Sequence, residues 1–145
     1  MALAVFVAAA LLNVFGQRPT VSRADSSAAE VTVTAPAALR GGLIFQVKVQ
    51  IDAHQALARP ALLFSGGWFD SMSTNAVVPQ PADQTSRDGR PVFDLAPIGA
   101  GRSATYWFYF QVNPSNVGWR RPETLQLLAN GAAVAEVRRT ITIYP

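Results

Sequence analysis

Apolar and polar residues alternate with a period close to two along most of the chain after Glu30. In segment 43–51 apolar residues occupy every second position, with glutamines and Lys48 between them. Segment 106–112 repeats the alternation with aromatic residues. Successive side chains of a β-strand point to opposite faces of a sheet, so this period indicates strands that bury one face. The same region has no helical period, and the sequence therefore predicts an all-β fold.

Turn-forming residues separate the alternating segments at intervals of about 8 to 15 residues. The pair Asn130-Gly131 predicts the tightest turn, because both residue types tolerate positive φ. It joins the predicted strands 124–129 and 132–144 into a hairpin. The other predicted strands are 31–34, 43–51, 61–64, 75–78, 92–95 and 106–112.

The predicted strands are sufficient for one folded domain. Half of the 145 residues are apolar, which is enough to form a core. The longest polar segment, 79–91, contains the turn residues Asp88-Gly89 and is predicted to be a loop. Seven or eight strands within 30–145 are typical of an immunoglobulin-like antiparallel β-sandwich, here without its cysteines. An eight-stranded barrel is the alternative.

The N-terminal segment 1–15 is almost entirely apolar, with Asn13 as its single amide and no charge. As a helix its apolar stretch would reach about 21 Å, short of the roughly 30 Å hydrocarbon core of a membrane. Two interpretations remain open. The favoured one is a transmembrane anchor truncated at its N-terminus, which predicts a single-pass membrane protein with an extracytoplasmic β domain. The other is a signal peptide cleaved among the small residues of 24–29, which predicts secretion. Segment 16–29 is polar and is predicted to be a flexible linker.

Composition excludes several classes of function. The 12 basic and 9 acidic residues leave a net charge of only +3, and the arginines are scattered. Nucleic-acid binding needs a clustered basic surface, so none is predicted. Cysteine is absent and His54 is the only histidine, which removes disulfides, thiolate sites and multi-histidine zinc sites. We therefore predict neither a metal nor a cofactor.

Two sets of polar residues are candidates for chemistry. Asp52, His54 and Asp94 offer an acid–base group, since a carboxylate-oriented imidazole is a common general base. No nucleophile motif accompanies them, and we predict that the protein is not an enzyme. Asp83, Asp88 and Asp94 carry oxygen ligands for calcium but lack the spacing of an EF-hand. Turn formation is the preferred interpretation of these aspartates.

The aromatic strand 106–112 offers the sharpest binding hypothesis. If its even-numbered residues face the core, Trp107 and Tyr109 lie on the outer face of the sheet. There the flat rings could hold a glycan, a peptide or a partner subunit. The alternative is that this face is covered by the long loop or by Trp68 and Phe69. Trp68 is itself a further candidate for partner binding.

Trp119 is the fourth candidate contact residue. It stands beside Arg120 and Arg121, a combination typical of side chains at a membrane interface. The alternative is a loop residue that caps one end of the sandwich.

Several stretches resemble a group of uncharacterised actinobacterial proteins. The similar stretches are NVFGQRP, GGLIFQVKVQI, GWF followed by Met72, DGR and FQVNPSNVG. Those proteins have one N-terminal membrane helix and one extracytoplasmic β domain. Segment 96–112 is also loosely similar to bacterial immunoglobulin-like domains of the CARDB and conserved-repeat kind, which act as spacers or adhesins.

The resemblance carries no catalytic residues. The leading hypothesis is a membrane-anchored, extracytoplasmic interaction or accessory module with a protein partner in the cell envelope. The alternative function is a secreted carbohydrate-binding or adhesive β-sandwich.

Overall fold

A computed structural model describes residues 2–12 and 17–145 of the chain. Within them lie one α-helix, one short 3₁₀ helix and eleven strands. The α-helix, α1, spans Ala2–Leu11, and the 3₁₀ helix spans Gly66–Trp68. The strands are β1 (Pro19–Asp25), β2 (Ala29–Pro36), β3 (Ala38–Arg40), β4 (Ile44–Ala53), β5 (Pro60–Phe64), β6 (Met72–Val78), β7 (Asp83–Arg87), β8 (Arg90–Asp94), β9 (Ser103–Val112), β10 (Gly118–Ala129) and β11 (Ala132–Tyr144).

The strands form two sheets. The front sheet has five strands in the order β1-β2-β4-β9-β6, and the back sheet has six in the order β3-β11-β10-β5-β8-β7. Neighbours are antiparallel, except that β3 runs parallel to β11. The predicted all-β sandwich is confirmed. The alternative of a single closed barrel is wrong, because each sheet ends in its own edge strands.

The core lies between the two sheets and is rich in phenylalanine. Every second residue of β4 and β9 points into it, as the alternation predicted. Phe64 of β5 packs against Phe108 of β9, with ring centroids 4.9 Å apart, and so joins the back sheet to the front sheet. The Phe64 ring also lies edge-on to the rings of Trp68, Phe69, Phe93 and Phe110.

Residues 17–29, the described part of the predicted linker 16–29, do not form a flexible linker. Strand β1 occupies 19–25 and pairs with β2 from Pro19 opposite Pro36 to Asp25 opposite Glu30. The physical reason is that β1 is an edge strand, held mainly by its backbone pairing with β2 and largely exposed. Such a strand needs no apolar alternation, so its composition reads as polar linker.

Segment 79–91 is also more ordered than predicted. Strands β7 and β8 form a hairpin within it, and all five residues of β7 are exposed. The turn itself is confirmed, since Asp88 and Gly89 have φ values of 52° and 73°. As with β1, an exposed edge strand gives no apolar signal.

The hairpin at Asn130-Gly131 is confirmed. These residues have φ values of 50° and 85°, and Ala129 pairs with Ala132 across the turn. Both central residues therefore adopt the left-handed conformation on which the prediction rested.

Helix α1 is ten residues long and consists only of Ala, Leu, Val and Phe. Leu3, Val5 and Leu11 are exposed on it. The end of the predicted anchor, 13–15, lies outside the described residues. Within the described part of the chain, no helix combines the length and the apolar character needed to cross a membrane.

Candidate functional site

The outer surface of the front sheet carries the aromatic residues that the sequence singles out. Tyr106, Phe108 and Phe110 of β9 are buried in the core. Trp107 and Tyr109 therefore point outward, and each is half-buried. We call the surface centred on these two rings, with Gln46 and Lys48 beside them, the aromatic face.

Trp107 is bordered by one charged and one apolar neighbour. Lys48 lies opposite it on β4 and Val78 opposite it on β6. The Lys48 Nζ lies 5.3 Å from the centroid of the Trp107 ring, which is within cation–π range. The same row continues across β2 to the exposed Val21 of β1. Trp107 is thus the centre of a band that combines apolar side chains with one cation.

Tyr109 is held in place by an amide. Gln46 lies opposite it on β4 and donates a hydrogen bond of 2.8 Å from Nε2 to the Tyr109 hydroxyl. Further polar side chains flank the two rings on the outer face, namely Gln50, Thr105 and Gln111. A ligand on this face would therefore meet flat rings together with amide and hydroxyl groups.

Neither the segment 79–91 nor the pair Trp68 and Phe69 covers the aromatic face. The hairpin of 79–91 belongs to the back sheet. Trp68 and Phe69 pack against Phe64 on the core side. Because residues two apart on a strand are separated by about 7 Å, Trp107 and Tyr109 present two neighbouring contact points along one line. This arrangement can bind a flat or extended ligand.

Trp68 is not a contact residue. Its side chain is 1% exposed, and its Nε1 donates a hydrogen bond of 3.0 Å to the carbonyl oxygen of Thr124. The 3₁₀ helix that contains it turns the indole into the core. The prediction of partner binding at Trp68 is therefore wrong.

Trp119 lies at the beginning of β10 and is 73% exposed. Its ring is edge-on to Tyr144, with centroids 6.4 Å apart. It does not cap the sandwich end, so that alternative is wrong. Its two neighbours differ: Arg120 is exposed, whereas the guanidinium of Arg121 turns inward and donates to the side-chain oxygen of Asn116 and to the Gly67 carbonyl.

The proposed acid–base group is not assembled. His54 Nε2 lies 2.9 Å from Asp25 Oδ1, and both side chains are largely exposed. Asp52 instead accepts a hydrogen bond from Gln50, and Asp94 belongs to the back sheet. The sequence reasoning missed the pair with Asp25, because it placed that residue in a linker.

The three aspartates that the sequence offers as calcium ligands do not form one cluster either. Asp83 and Asp94 lie opposite each other on β7 and β8, while Asp88 is in the turn near Arg90. Among the described residues, no group of three or more His, Asp and Glu side chains is arranged to hold a metal ion.

A cleft of about 820 Å³ lies on the outer surface of the back sheet. Val92 and Leu128 form part of its apolar lining, and Arg59, Arg87 and Asp83 add charge of both signs. Arg87 donates a hydrogen bond of 3.1 Å to the Gly131 carbonyl, which draws the β7–β8 hairpin towards the β10–β11 turn. Sequence reasoning missed this cleft. The sequence feature that indicates it is the unbroken apolar segment 60–64, which is buried on both faces of the sheet.

The interior also holds charged groups that the sequence reasoning missed. Glu123 of β10 and Arg139 of β11 are buried, with Oε2 and Nε 3.6 Å apart. Arg139 Nη2 donates hydrogen bonds to the carbonyl oxygens of Ala35 and Pro36, and so ties the back sheet to β2. Burial raises the pKa of Glu123 from 4.5 to about 8, against the opposing effect of the Arg139 charge.

Neither a protein-family model nor a curated protein matches this sequence. Three solved structures are similar in part. The chitin-binding domain of a chitinase from Pyrococcus furiosus is 14% identical, with 81% of this chain and 100% of that chain covered and a TM-score of 0.43. The alkylpurine DNA glycosylase AlkC from Pseudomonas fluorescens is 14% identical, over 74% of this chain and 28% of that chain, with a TM-score of 0.37. The GH20 exo-β-N-acetylglucosaminidase from Vibrio harveyi is 10% identical, over 74% of this chain and 17% of that chain, with a TM-score of 0.31. Similarities of this size assign neither a family nor a ligand to this chain.

Proposed function

We propose that this chain is a non-catalytic binding module, held at a membrane by its apolar N-terminal segment, with the aromatic face as its binding surface. The observation that carries this proposal is the outward orientation of Trp107 and Tyr109 on the front sheet. Aromatic side chains supply large contact area and are enriched where proteins bind partners. The partner is a protein of the cell envelope.

The membrane attachment rests on the N-terminal residues. Helix α1 is apolar on every side, whereas a helix at the surface of a soluble domain carries a polar face. Leu3, Val5 and Leu11 are nonetheless exposed in the chain by itself. Lipid is the environment that removes this surface from water. The β domain then lies outside the cytoplasm, and secretion after cleavage of the segment is the alternative.

The immunoglobulin-like classification and the relationship to the actinobacterial membrane-anchored group belong to the same proposal. Two mostly antiparallel sheets packed face to face are compatible with the first. The apolar helix followed by one β domain is compatible with the second.

Photo-crosslinking in the source cells tests the binding surface. A photoreactive amino acid at Gln46, on the aromatic face, is compared with one at Thr140, which is exposed on the back sheet. We expect a discrete adduct from position 46 and none from position 140. Equal adducts from both positions, or none from position 46, would contradict the proposal.

A glycan is the second candidate ligand, and the polar surroundings of the two rings favour it. Flat rings stack on sugar rings while amide side chains bond to hydroxyl groups, and here Gln46, Gln50 and Gln111 border Trp107 and Tyr109. The pairing of Gln46 with the Tyr109 hydroxyl fixes one such group. In this case the ligand is a surface polysaccharide rather than a protein.

Binding of the full chain to cellulose, chitin and peptidoglycan tests this candidate. We expect Trp107→Ala together with Tyr109→Ala to lower retention at least tenfold, since each aromatic contact contributes about 1 kcal/mol or more. Trp119→Ala, outside the aromatic face, serves as the matched control and should retain binding. Retention that survives the double substitution, or no retention by any of the three polysaccharides, would remove the glycan candidate.

A further inference from the structure

The end of the sandwich at which the chain enters from its N-terminal segment is unusually apolar. Gln17 lies at this end, since its Nε2 donates a hydrogen bond of 3.2 Å to the Ile44 carbonyl. We call this the proximal end. Among the described residues of the β domain, four of the six exposed large hydrophobic side chains belong to it, namely Leu43 (43%), Ile44 (56%), Val117 (60%) and Trp119 (73%).

Backbone contacts bring these residues together. The Val112 amide bonds to the Leu43 carbonyl, and the Gly42 amide bonds to the Val112 carbonyl. The segment 113–117 therefore begins directly beside the segment 41–43. Gly41 in turn bonds to the carbonyl of Tyr144, whose ring packs against Trp119. The four apolar side chains thus share one end of the molecule.

A β-bulge projects Trp119 from this end. The register between β10 and β11 shifts between Gly118 and Arg121, and Arg120 adopts a φ of 47°. A bulge re-aims the neighbouring side chains of its strand. A positive φ at a non-glycine residue is unfavourable and persists where the surrounding structure fixes it. The fold therefore presents the most exposed tryptophan of the chain at a fixed position.

The charges of the proximal end are predominantly positive. Arg18, Arg40 and Arg120 are exposed there. Among the described residues of this end, Asp70 is acidic, and its Oδ2 lies 3.5 Å from Nη2 of Arg121. The acidic row Asp25, Glu30 and Asp52 lies at the opposite end of the front sheet.

We infer that the proximal end docks on the surface of an anionic phospholipid bilayer. The inference rests on the membrane attachment proposed above and specifies which end of the sandwich touches the lipid. Tryptophan favours the interfacial region of a membrane, and arginine favours anionic headgroups. Gln17, the first described residue after the apolar segment, lies at this same end. The opposite end of the sandwich then faces away from the membrane.

The absence of cysteine permits a direct test with single-cysteine variants of the full chain. An environment-sensitive fluorophore is attached at Val117→Cys on the proximal end, or at Ala100→Cys in the turn before β9 at the opposite end. Each labelled chain is reconstituted in phosphatidylcholine vesicles with or without phosphatidylglycerol. Quenching by lipids that carry a nitroxide in the headgroup region is then measured.

We expect several-fold stronger quenching of the label at position 117 than of the label at position 100, and the difference should require phosphatidylglycerol. Arg40→Gln with Arg120→Gln, or Trp119→Ser, should lower the quenching at position 117 several-fold. Arg59→Gln with Arg102→Gln removes the same charge from the opposite end and should leave the quenching at position 117 unchanged.

Two failures are distinguishable by flotation of the vesicles. If the chain floats with the vesicles but both labels are quenched equally little, the docking inference is wrong and the membrane attachment stands. If the chain does not float with the vesicles, both are wrong. Quenching at position 117 that is insensitive to Arg40→Gln with Arg120→Gln and to phosphatidylglycerol would contradict the assignment to anionic lipid.

Discussion

Glu123 and Arg139 are ionisable residues at strand positions that face the apolar core. Their side chains are buried there. Arg139 satisfies part of its hydrogen-bonding capacity on β2 carbonyl oxygens and lies 5.6 Å from the Trp68 ring centroid. Both oxygens of Glu123 have no hydrogen-bond partner. An unbonded carboxylate in a core is costly, so the neutral form of Glu123 is favoured by the fold.

This carboxyl group makes stability depend on pH. Its pKa is about 8 in the folded chain and 4.5 ordinarily, so the folded state binds more protons between these values. The free energy of unfolding therefore falls as pH rises from 4.5 to 8, with a slope of up to about 1.4 kcal/mol per pH unit. Thermal unfolding at pH 5, 7 and 9 measures the effect, and we expect a progressively lower Tm.

Glu123→Gln is the matched control, because it retains the shape of the protonated side chain. We expect its stability to equal that of the unsubstituted chain at pH 5 and to exceed it at pH 9. The same decline with pH in both proteins would show that Glu123 is not responsible.

Gly66 and Gly67 make a second test at the scale of single residues. A Cβ on Gly67 would lie 2.6 Å from the Pro122 carbonyl oxygen, whereas a Cβ on Gly66 would meet nothing within 4 Å. We expect Gly67→Ala to lower the free energy of unfolding by roughly 1 to 3 kcal/mol, because backbone must move. Gly66→Ala should leave it nearly unchanged in urea unfolding. Equal effects would contradict the close approach of the 3₁₀ helix to β10.

At the scale of elements, strand β1 is the clearest difference between the structure and the sequence-based prediction. Residues 19–25 pair along their whole length with β2. Amide hydrogen exchange followed by mass spectrometry should therefore find these residues protected to an extent similar to β7, an edge strand of the back sheet. A flexible linker would exchange within the dead time, and that result would contradict β1.

Strands that bury one face could be predicted, whereas the exposed edge strands β1 and β7 could not. Segments 43–51 and 106–112 alternate because one face meets the core, and that alternation also placed Trp107 and Tyr109 on the outside. Strands β1 and β7 are held by backbone hydrogen bonds, to which every sequence contributes alike.

The candidate site was predictable only in part for a related reason. The contact of Lys48 with Trp107 and that of Gln46 with Tyr109 depend on the register between β4 and β9. Gln46 and Tyr109 are 63 positions apart in the sequence, and a register over such a distance is fixed by the whole core rather than by either strand. Trp68 was misplaced because a 3₁₀ turn, which has no side-chain period of its own, directs it inward.

At the scale of the whole molecule, most of the exposed large apolar side chains described in the β domain lie at one end of the sandwich, the proximal end. The proximal end carries Trp119 and the entering chain, while the aromatic face lies on a side of the sandwich. A module held in this way keeps Trp107 and Tyr109 accessible. In the proposed function, membrane attachment and partner binding therefore use different surfaces, which substitutions can test separately.

Fractionation of source cells that express the full chain tests the membrane attachment most directly. The chain should remain in the membrane pellet after a carbonate wash. Val5→Asp with Leu11→Asp should release it, since each charge in an apolar helix costs about 3 kcal/mol in a membrane. Val21→Asp with Val78→Asp adds the same charges on the exposed front sheet and should leave the chain in the pellet. Recovery of the unsubstituted chain from the cytosol or the medium would contradict the account.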